Sequence, residues 1–396
     1  MLSERINRIQ PSPTLAVSAK AKAMRAAGEN IISFDVGEPD FDTPEHIKDA
    51  CARALRNGDT KYTAAAGTPA LREAISRKLQ RENRLAYAPE QIVVSAGGKH
   101  SLFNIFQCIL NAGDEVVIPA PYWVSYPDQV LLADGVPVFI HAAQEQGFKI
   151  TAAQLDDCLK AHKRVKAVII NSPSNPTGAV YSPEALRELC AVLENYPDVL
   201  VISDEVYEHM VYEPHRQWSV ASYSEEFRAR TVLVHSFSKS YAMTGWRLGW
   251  TSSSVELAAA MGKLQSQSTS NPTSFAMAGG IAAVDGEIDR AMMAEFERRG
   301  KVMRELLNDV PGFDCARPEG AFYAFPKVSG VFGVMVDKDT QITSAKVLAE
   351  YLLKAAKVAI VPGEGFGAPD HVRFSYANSM ENIKEGINRI LRVLPE

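Results

Sequence analysis

Apolar and polar positions along this chain fall into short blocks. EVVIPA, VPVFI, VKAVIINSP, VLVISDEV and TVLVHSF are continuous runs of β-branched and apolar residues closed by Pro, Ser or acidic residues, the pattern of strands buried on both faces. Helical stretches such as PEALRELCAVLEN lie between them. Strands alternating with helices imply right-handed crossovers and a mostly parallel sheet, so the core reads as α/β. Upstream, Thr14 to Ala27 predicts a helix capped by Thr14 and closed by Gly28, and ISFDVGEPDFDTP predicts a short strand entering a loop. Helices are expected over Pro44 to Arg56 and Leu71 to Glu82, the second launched by Gly67-Thr68-Pro69. QIVVSAGGKHSLFNIFQCIL reads as strand, Gly-Gly turn and helix. After about Asp285 the texture changes to a long charged helix, EIDRAMMAEFERRGKVMRELLNDV, whose EFERRGKVMRE stretch reads as a solvated face. Short strands in GAFYAFPKV, VAIVPG and HVRFSYA and a last helix follow. The expected organisation is a large unit over residues 43–292 and a smaller α+β unit made of 1–42 and 293–396.

Composition narrows the class. With 396 residues, 46% hydrophobic and 22% charged, the chain can bury a large core and is neither disordered nor fibrous. A net charge of -5 without a Lys/Arg block gives no support to a nucleic-acid or membrane partner. Five scattered cysteines without a CxxC pair suit a reducing cytosol. No signal-peptide core opens the chain, and no window reaches the ~18 apolar residues of a spanning helix. A cytoplasmic protein is expected. The histidines show no HxxxH or HxH spacing, so no metal site is expected, and His209 and His235 read as packing or hydrogen-bonding residues. GEGFG, residues 363–367, reads as a loop because no helical run follows it.

Candidate chemistry collects just past the strand ends, where open α/β sheets bind ligands. Ala96-Gly97-Gly98-Lys99 opens a helix, and two glycines with free amides favour an anion such as phosphate. Tyr122-Trp123 offers a flat face for stacking. The loop NSPSNPTG can aim the Asn175 amide at a ligand oxygen. Asp204, at a buried strand end, needs a positively charged partner, and Tyr207 can bring a phenol into the same space. SFSKSYAMTGWRLGW sets Lys239 in a small-residue turn after a buried strand, with Arg247 eight positions on. Desolvation there disfavours the ammonium and makes a nucleophilic amine that can join an aldehyde. The set asks for one ligand with a phosphate, a ring carrying a basic nitrogen, a ring hydroxyl and an aldehyde, which pyridoxal 5'-phosphate combines.

The stretch from Ser236 to Gly249 resembles the cofactor-attachment pattern of the class I pyridoxal-phosphate-dependent aminotransferases of fold type I. NSPSNPTG, SDEVYEH, PYWVSYP and GEPDFDTPEHI resemble that family's motifs in the same order, and the likeness spans nearly the whole chain. It is close to the branch of bacterial aspartate aminotransferases and glutamate-prephenate aminotransferases. The resemblance implies that Lys239 holds the cofactor covalently and Asp204 keeps the ring nitrogen protonated. It gives the ring hydroxyl to Asn175 and Tyr207, the stacking face to Trp123, and the phosphate to Ser236, Arg247 and the Gly98-Lys99 backbone. Tyr62 resembles the tyrosine that reaches the phosphate from a neighbouring subunit, which implies a homodimer with shared sites. Arg373 resembles the arginine that takes the substrate α-carboxylate, although its residue pattern alone reads as a surface strand. Gly37 looks like the backbone lining of the substrate pocket, alongside Trp123 and Asn175.

For substrate choice, a lysine at position 99 faces the distal carboxylate of dicarboxylic substrates in the similar aspartate-type branch, helped by the threonine matching Thr14. Aspartate, glutamate and 2-oxoglutarate lead on charge. Prephenate is the rival, and Gln10 departs from the basic residue associated with its use. A lyase on the same fold and a ligand-sensing domain of a transcription regulator are the other readings. The latter expects a basic helix-turn-helix module upstream.

Overall fold

The computed structural model describes residues 2–395. β1 (Ile32–Ser33) pairs with a strand far downstream. β2 (Ile92–Ser95), β3 (Glu115–Ala120), β4 (Val136–His141), β5 (Val165–Asn171), β6 (Leu200–Asp204), β7 (Thr231–Ser236) and β8 (Gly249–Ser252) form one sheet, ordered β2-β8-β7-β6-β5-β3-β4. β4, β3, β5, β6 and β7 run parallel. β8 is antiparallel to both its neighbours, so β2 points the same way as the rest. All the chemistry-bearing strand ends therefore share one edge.

Continuous apolar runs form this sheet because both faces are covered. Val117, Val168 and Val201 pack on one side with Leu155, Leu186 and Leu189, while Val116, Ile118, Ile169 and Ile202 pack on the other with Leu102, Ile105 and Phe106. Period-two alternation within each strand thus feeds two cores rather than one core and solvent.

A second body is built from both chain ends. β9 (Tyr323–Ala324), β11 (Val361–Pro362) and β12 (Val372–Ser375) make an antiparallel set, and β10 (Val358–Ala359) pairs in parallel with β1. Phe34, Phe296, Phe322, Phe374 and Ile387 share its core. The helix Pro13–Ala26 lies against it through Ala21, Ile31, Leu353 and Ala359. Among the described residues no helix is long and apolar enough to cross a membrane.

Several expected boundaries shift for local reasons. The first long helix begins at Pro13, whose missing N–H suits the first turn, so Ser12 rather than Thr14 stands at the cap position. The helix expected to reach Glu82 ends at Lys78, passes into a wider turn over Leu79–Asn83, and stops at left-handed Arg84. β8 was not expected, since four residues opening on glycine carry no periodic signal. The charged helix runs Arg290–Asn308 with Arg298, Lys301, Arg304 and Glu305 on its solvated face, but one of its charges turns inward. Arg299 is buried against Asp40 at 2.7 Å and Glu295 at 2.8 Å.

Candidate active site

β5, β6 and β7 end in register, with Asn171 opposite Asp204 and Asp204 opposite Val234. Past those ends opens a cavity of about 300 Å³, lined among others by Thr14, Gly37, Gly98, Lys99, Trp123, Asn175, Asp204, Tyr207, Ser236, Lys239, Arg247 and Arg373. These singled-out residues come from segments hundreds of positions apart and meet around one space. Tyr62 does not join them: it is 91% exposed and lies outside this chain's cavity.

One end of the cavity is made for an anion. The helix Gly98–Ile109 starts there, presenting free amides and its positive end. Gly97 has φ +92, and a Cβ on it would lie 2.5 Å from Arg247 Nη2. Only glycine lets the guanidinium and the turn share this corner. Ser236 Oγ and Ser238 Oγ lie 2.9 Å apart beside it, and Arg247 is itself left-handed, held by a bond from Nη1 to the Thr244 carbonyl at 2.8 Å.

The opposite requirement appears at Asp204. Its carboxylate is buried, accepting from Tyr126 Oη at 2.5 Å and the Val206 amide at 3.3 Å. Burial pushes its pKa up, against the lowering effect of Tyr126 and Val206. Among the described residues no lysine or arginine makes an ion pair with it, so the expected cation is not a side chain. A carboxylate placed this way suits a cationic ring nitrogen of a ligand.

Lys239 stands between these ends. Its ammonium donates to the Gly37 carbonyl and lies 5.5 Å from the centre of the Phe322 ring. Burial lowers its pKa from 10.5 to about 7, with Arg373, Arg247 and Lys99 adding repulsion and Glu38 opposing them. Lys99 is also lowered, by burial first and then by Arg247, and its ammonium sits 5.0 Å over the Trp123 ring.

Arg373 corrects the surface-strand pattern. It lies in β12, 2% exposed, with Nη1 donating to Asn175 Oδ1 at 3.0 Å and Nη2 to the Asp35 carbonyl at 2.7 Å. Its Nε has no partner, and among the described residues no carboxylate forms an ion pair with it. The guanidinium is stacked 4.6 Å from the centre of Tyr323 and 5.2 Å from that of Phe366.

Some site residues escaped the sequence reading. Asn171 accepts from the Asn175 amide at 3.0 Å and donates to the Asp204 carbonyl at 3.0 Å, fixing the loop against β6. Tyr323 Oη lies 2.8 Å from Tyr207 Oη. Tyr126, in PYWVSYP, was within reach as a polar ring following Trp123; Tyr323 carried no signal, since GAFYAFPKV reads only as a strand.

The family described as aminotransferase class I and II matches residues 29–390. The chain is 46% identical to an aspartate aminotransferase of Bacillus sp. (strain YM-2), over 99% of this chain and 98% of that one. It is equally 46% identical to an aspartate/prephenate aminotransferase of Nitrosomonas europaea, over 99% of each. Among solved structures, it is similar to the aspartate aminotransferase from Rhizobium meliloti, with TM-score 0.95, 42% identity, and coverage of 99% of this chain and 98% of that one. It is also similar to the Thermus thermophilus aspartate aminotransferase with maleate, with TM-score 0.92, 41% identity and full coverage of both chains.

Proposed function

Because this chain belongs to the class I and II aminotransferases, we propose that it moves the amino group of aspartate, or a similar acidic amino acid, to 2-oxoglutarate, using pyridoxal 5'-phosphate. The residues present fit that cofactor: a glycine-formed anion corner that a Cβ would fill, a buried carboxylate without a side-chain cation, and a lysine poised near neutrality. Bound there, the group supplies an aldehyde for capture of an amine and an electron-withdrawing ring.

The observation that carries the substrate class is the count of cations. Arg247, Arg373 and Lys99 all line the cavity and repel the Lys239 ammonium. Three cations call for three anionic groups: the phosphate for Arg247, the substrate α-carboxylate for Arg373, and a distal carboxylate for Lys99, assisted by Thr14. Maleate, named with the Thermus structure, is a dicarboxylate of this kind. Ser236 and the Gly98-Lys99 backbone share the phosphate, Asn175 and Tyr207 hold the ring hydroxyl, Trp123 covers one ring face, and Asp204 holds the ring nitrogen. Gly37 lines the substrate side. With the cofactor bound, Lys239 would be the neutral amine placed to take the substrate Cα proton. Release of a 2-oxo acid precedes binding of the second one, so ping-pong kinetics are expected.

A homodimer with Tyr62 crossing to the partner's phosphate, a cytoplasmic location, and a division into units of 43–292 and of 1–42 with 293–396 complete the proposal. The cavity draws residues from both units, which supports closure of one on the other. The competing substrate is prephenate, named for the Nitrosomonas relative; neutral Gln10 favours aspartate. Turnover of aspartate with 2-oxoglutarate, and of glutamate with prephenate, tests the choice on wild type and Lys99→Ala. Faster aspartate turnover, with the acidic preference reduced about tenfold or more in Lys99→Ala, supports the reading. An unchanged preference in Lys99→Ala overturns it.

A further inference from the structure

On the sheet face opposite the cavity, directly behind Asp204, lies a second buried group of charges. Glu205 and His235 follow Asp204 and Val234, which face each other across β6 and β7, so they point the other way. His235 is 1% exposed and stacks on Trp250 at 5.1 Å and 13°. Its Nδ1 lies 3.2 Å from Glu208 Oε1, and its Nε2 lies 4.0 Å from Glu205 Oε2. At that separation neither His235 Nε2 nor Glu205 Oε2 has a hydrogen-bond partner, and both are buried.

Around this ring the remaining carboxylate oxygens have partners, while the buried Trp250 Nε1 and Tyr87 Oη have none. Glu205 Oε1 accepts from Ser203 at 2.7 Å and Ser219 at 2.6 Å. Glu208 takes the ammonium of wholly buried Lys78 on Oε1 and Asn83 at 2.8 Å on Oε2. At the rim, Glu82 pairs with Lys78 at 3.4 Å and with His209 at 3.1 Å, while the buried Tyr241 phenol is influenced by Glu208 and Glu82. On the far side, Tyr87 feels Glu205 and Arg228.

A neutral imidazole donates from one nitrogen only, whereas both nitrogens of His235 face carboxylates. The inner group also counts three carboxylates, Asp204, Glu205 and Glu208, against one ammonium, Lys78. We propose that His235 is held as an imidazolium between Glu205 and Glu208, and that this second buried cation keeps Asp204 ionised for the cofactor ring nitrogen. The cofactor's ring cation then closes the balance at three against three. His235 is thus a positioning residue for the cofactor, acting through Asp204; the assignment of Asp204 rests on the cofactor reading above. A bound metal ion is the poorer fit for the cluster, because Lys78 already sits on the Glu208 oxygen that such an ion would share. Burial raises both Asp204 and Glu205, and His235 is among the groups that lower each of them. Glu208 is held well below the usual carboxylate range, burial opposing but Lys78, His235 and His209 outweighing it.

The test is the nitrogen NMR spectrum of the His235 ring in the full chain labelled at histidine, with and without pyridoxal phosphate, assigned through its own backbone resonances. A doubly protonated ring across neutral pH is expected in the loaded protein; a neutral ring, with the proton on Glu205 instead, overturns the proposal. Affinity for pyridoxal phosphate gives the second readout. His235→Gln is expected to weaken it about tenfold, and adding Glu205→Gln to remove the unbalanced charge is expected to restore most of it. A folded His235→Gln protein with unchanged affinity, or loss that Glu205→Gln does not rescue, overturns the positioning role. The cofactor reading fails separately, if no adduct forms at Lys239.

Discussion

Lys239 shows how far a side chain's chemistry is set by its neighbours. In water its amine would stay charged at neutral pH; here, burial backed by Arg373 brings it to about 7. Since the folded value is lowered, the neutral, reactive form grows as pH rises through 7. About a tenth of the amine is neutral at pH 6 and about nine-tenths at pH 8. Capture of pyridoxal phosphate by the cofactor-free chain, trapped with borohydride and followed against pH, should accelerate by about an order of magnitude over that range. A midpoint near 10 would mean the lysine is solvated. Lys239 and Asp204 stood out because each follows an apolar run, where a polar group has to have a reason, while Ser236 entered only through the family resemblance. Arg373 was not: one arginine in HVRFSYA looks like the outward residue of a half-buried strand. Only the packing of β12 beneath Asn175 and Asp35 buries it.

Among the elements, the parallel strands were legible and β8 was not. Its Gly249 has the larger structural role, since a Cβ there would meet the Gly98 amide nitrogen at 2.6 Å and the Gly97 carbonyl carbon at 2.7 Å. Both are backbone atoms, so no side chain can swing aside. β8 and the start of the helix Gly98–Ile109 are thereby pressed together, and the anion corner depends on their separation. Gly249→Ala is expected to lower stability by about 1–3 kcal/mol, as overpacking does, and to weaken pyridoxal phosphate binding. Gly245, exposed with nothing within 4 Å of its Cβ position, is the control. Gly245→Ala should change stability by no more than about 0.5 kcal/mol. Denaturant unfolding and cofactor titration of both variants check this pair, and equal effects would remove the special role of Gly249.

At the scale of the molecule, the α/β core followed from alternating runs, while the second body was expected from the change of texture after about Asp285 and its pairings from nothing local. Its strands are two to four residues long and are joined by pairings such as Ile32 with Val358 across most of the chain, which no local pattern can signal. Tyr62, exposed and outside its own cavity, bears on assembly. If it serves the partner's site, mixing Lys239→Ala and Tyr62→Ala chains under exchange rebuilds one complete site per hybrid dimer. Cofactor affinity in that site should return to the wild-type value, whereas a Tyr62 acting within its own chain gives no recovery over Tyr62→Ala alone. The proposed activity as a whole turns on Lys239 as the covalent anchor. Its most direct test is to load the purified full chain with pyridoxal 5'-phosphate, reduce with borohydride, digest, and locate the added mass. The expected result is one modified lysine, Lys239, with the adduct lost in Lys239→Ala; an unmodified Lys239, or an adduct carried by another lysine, would contradict it.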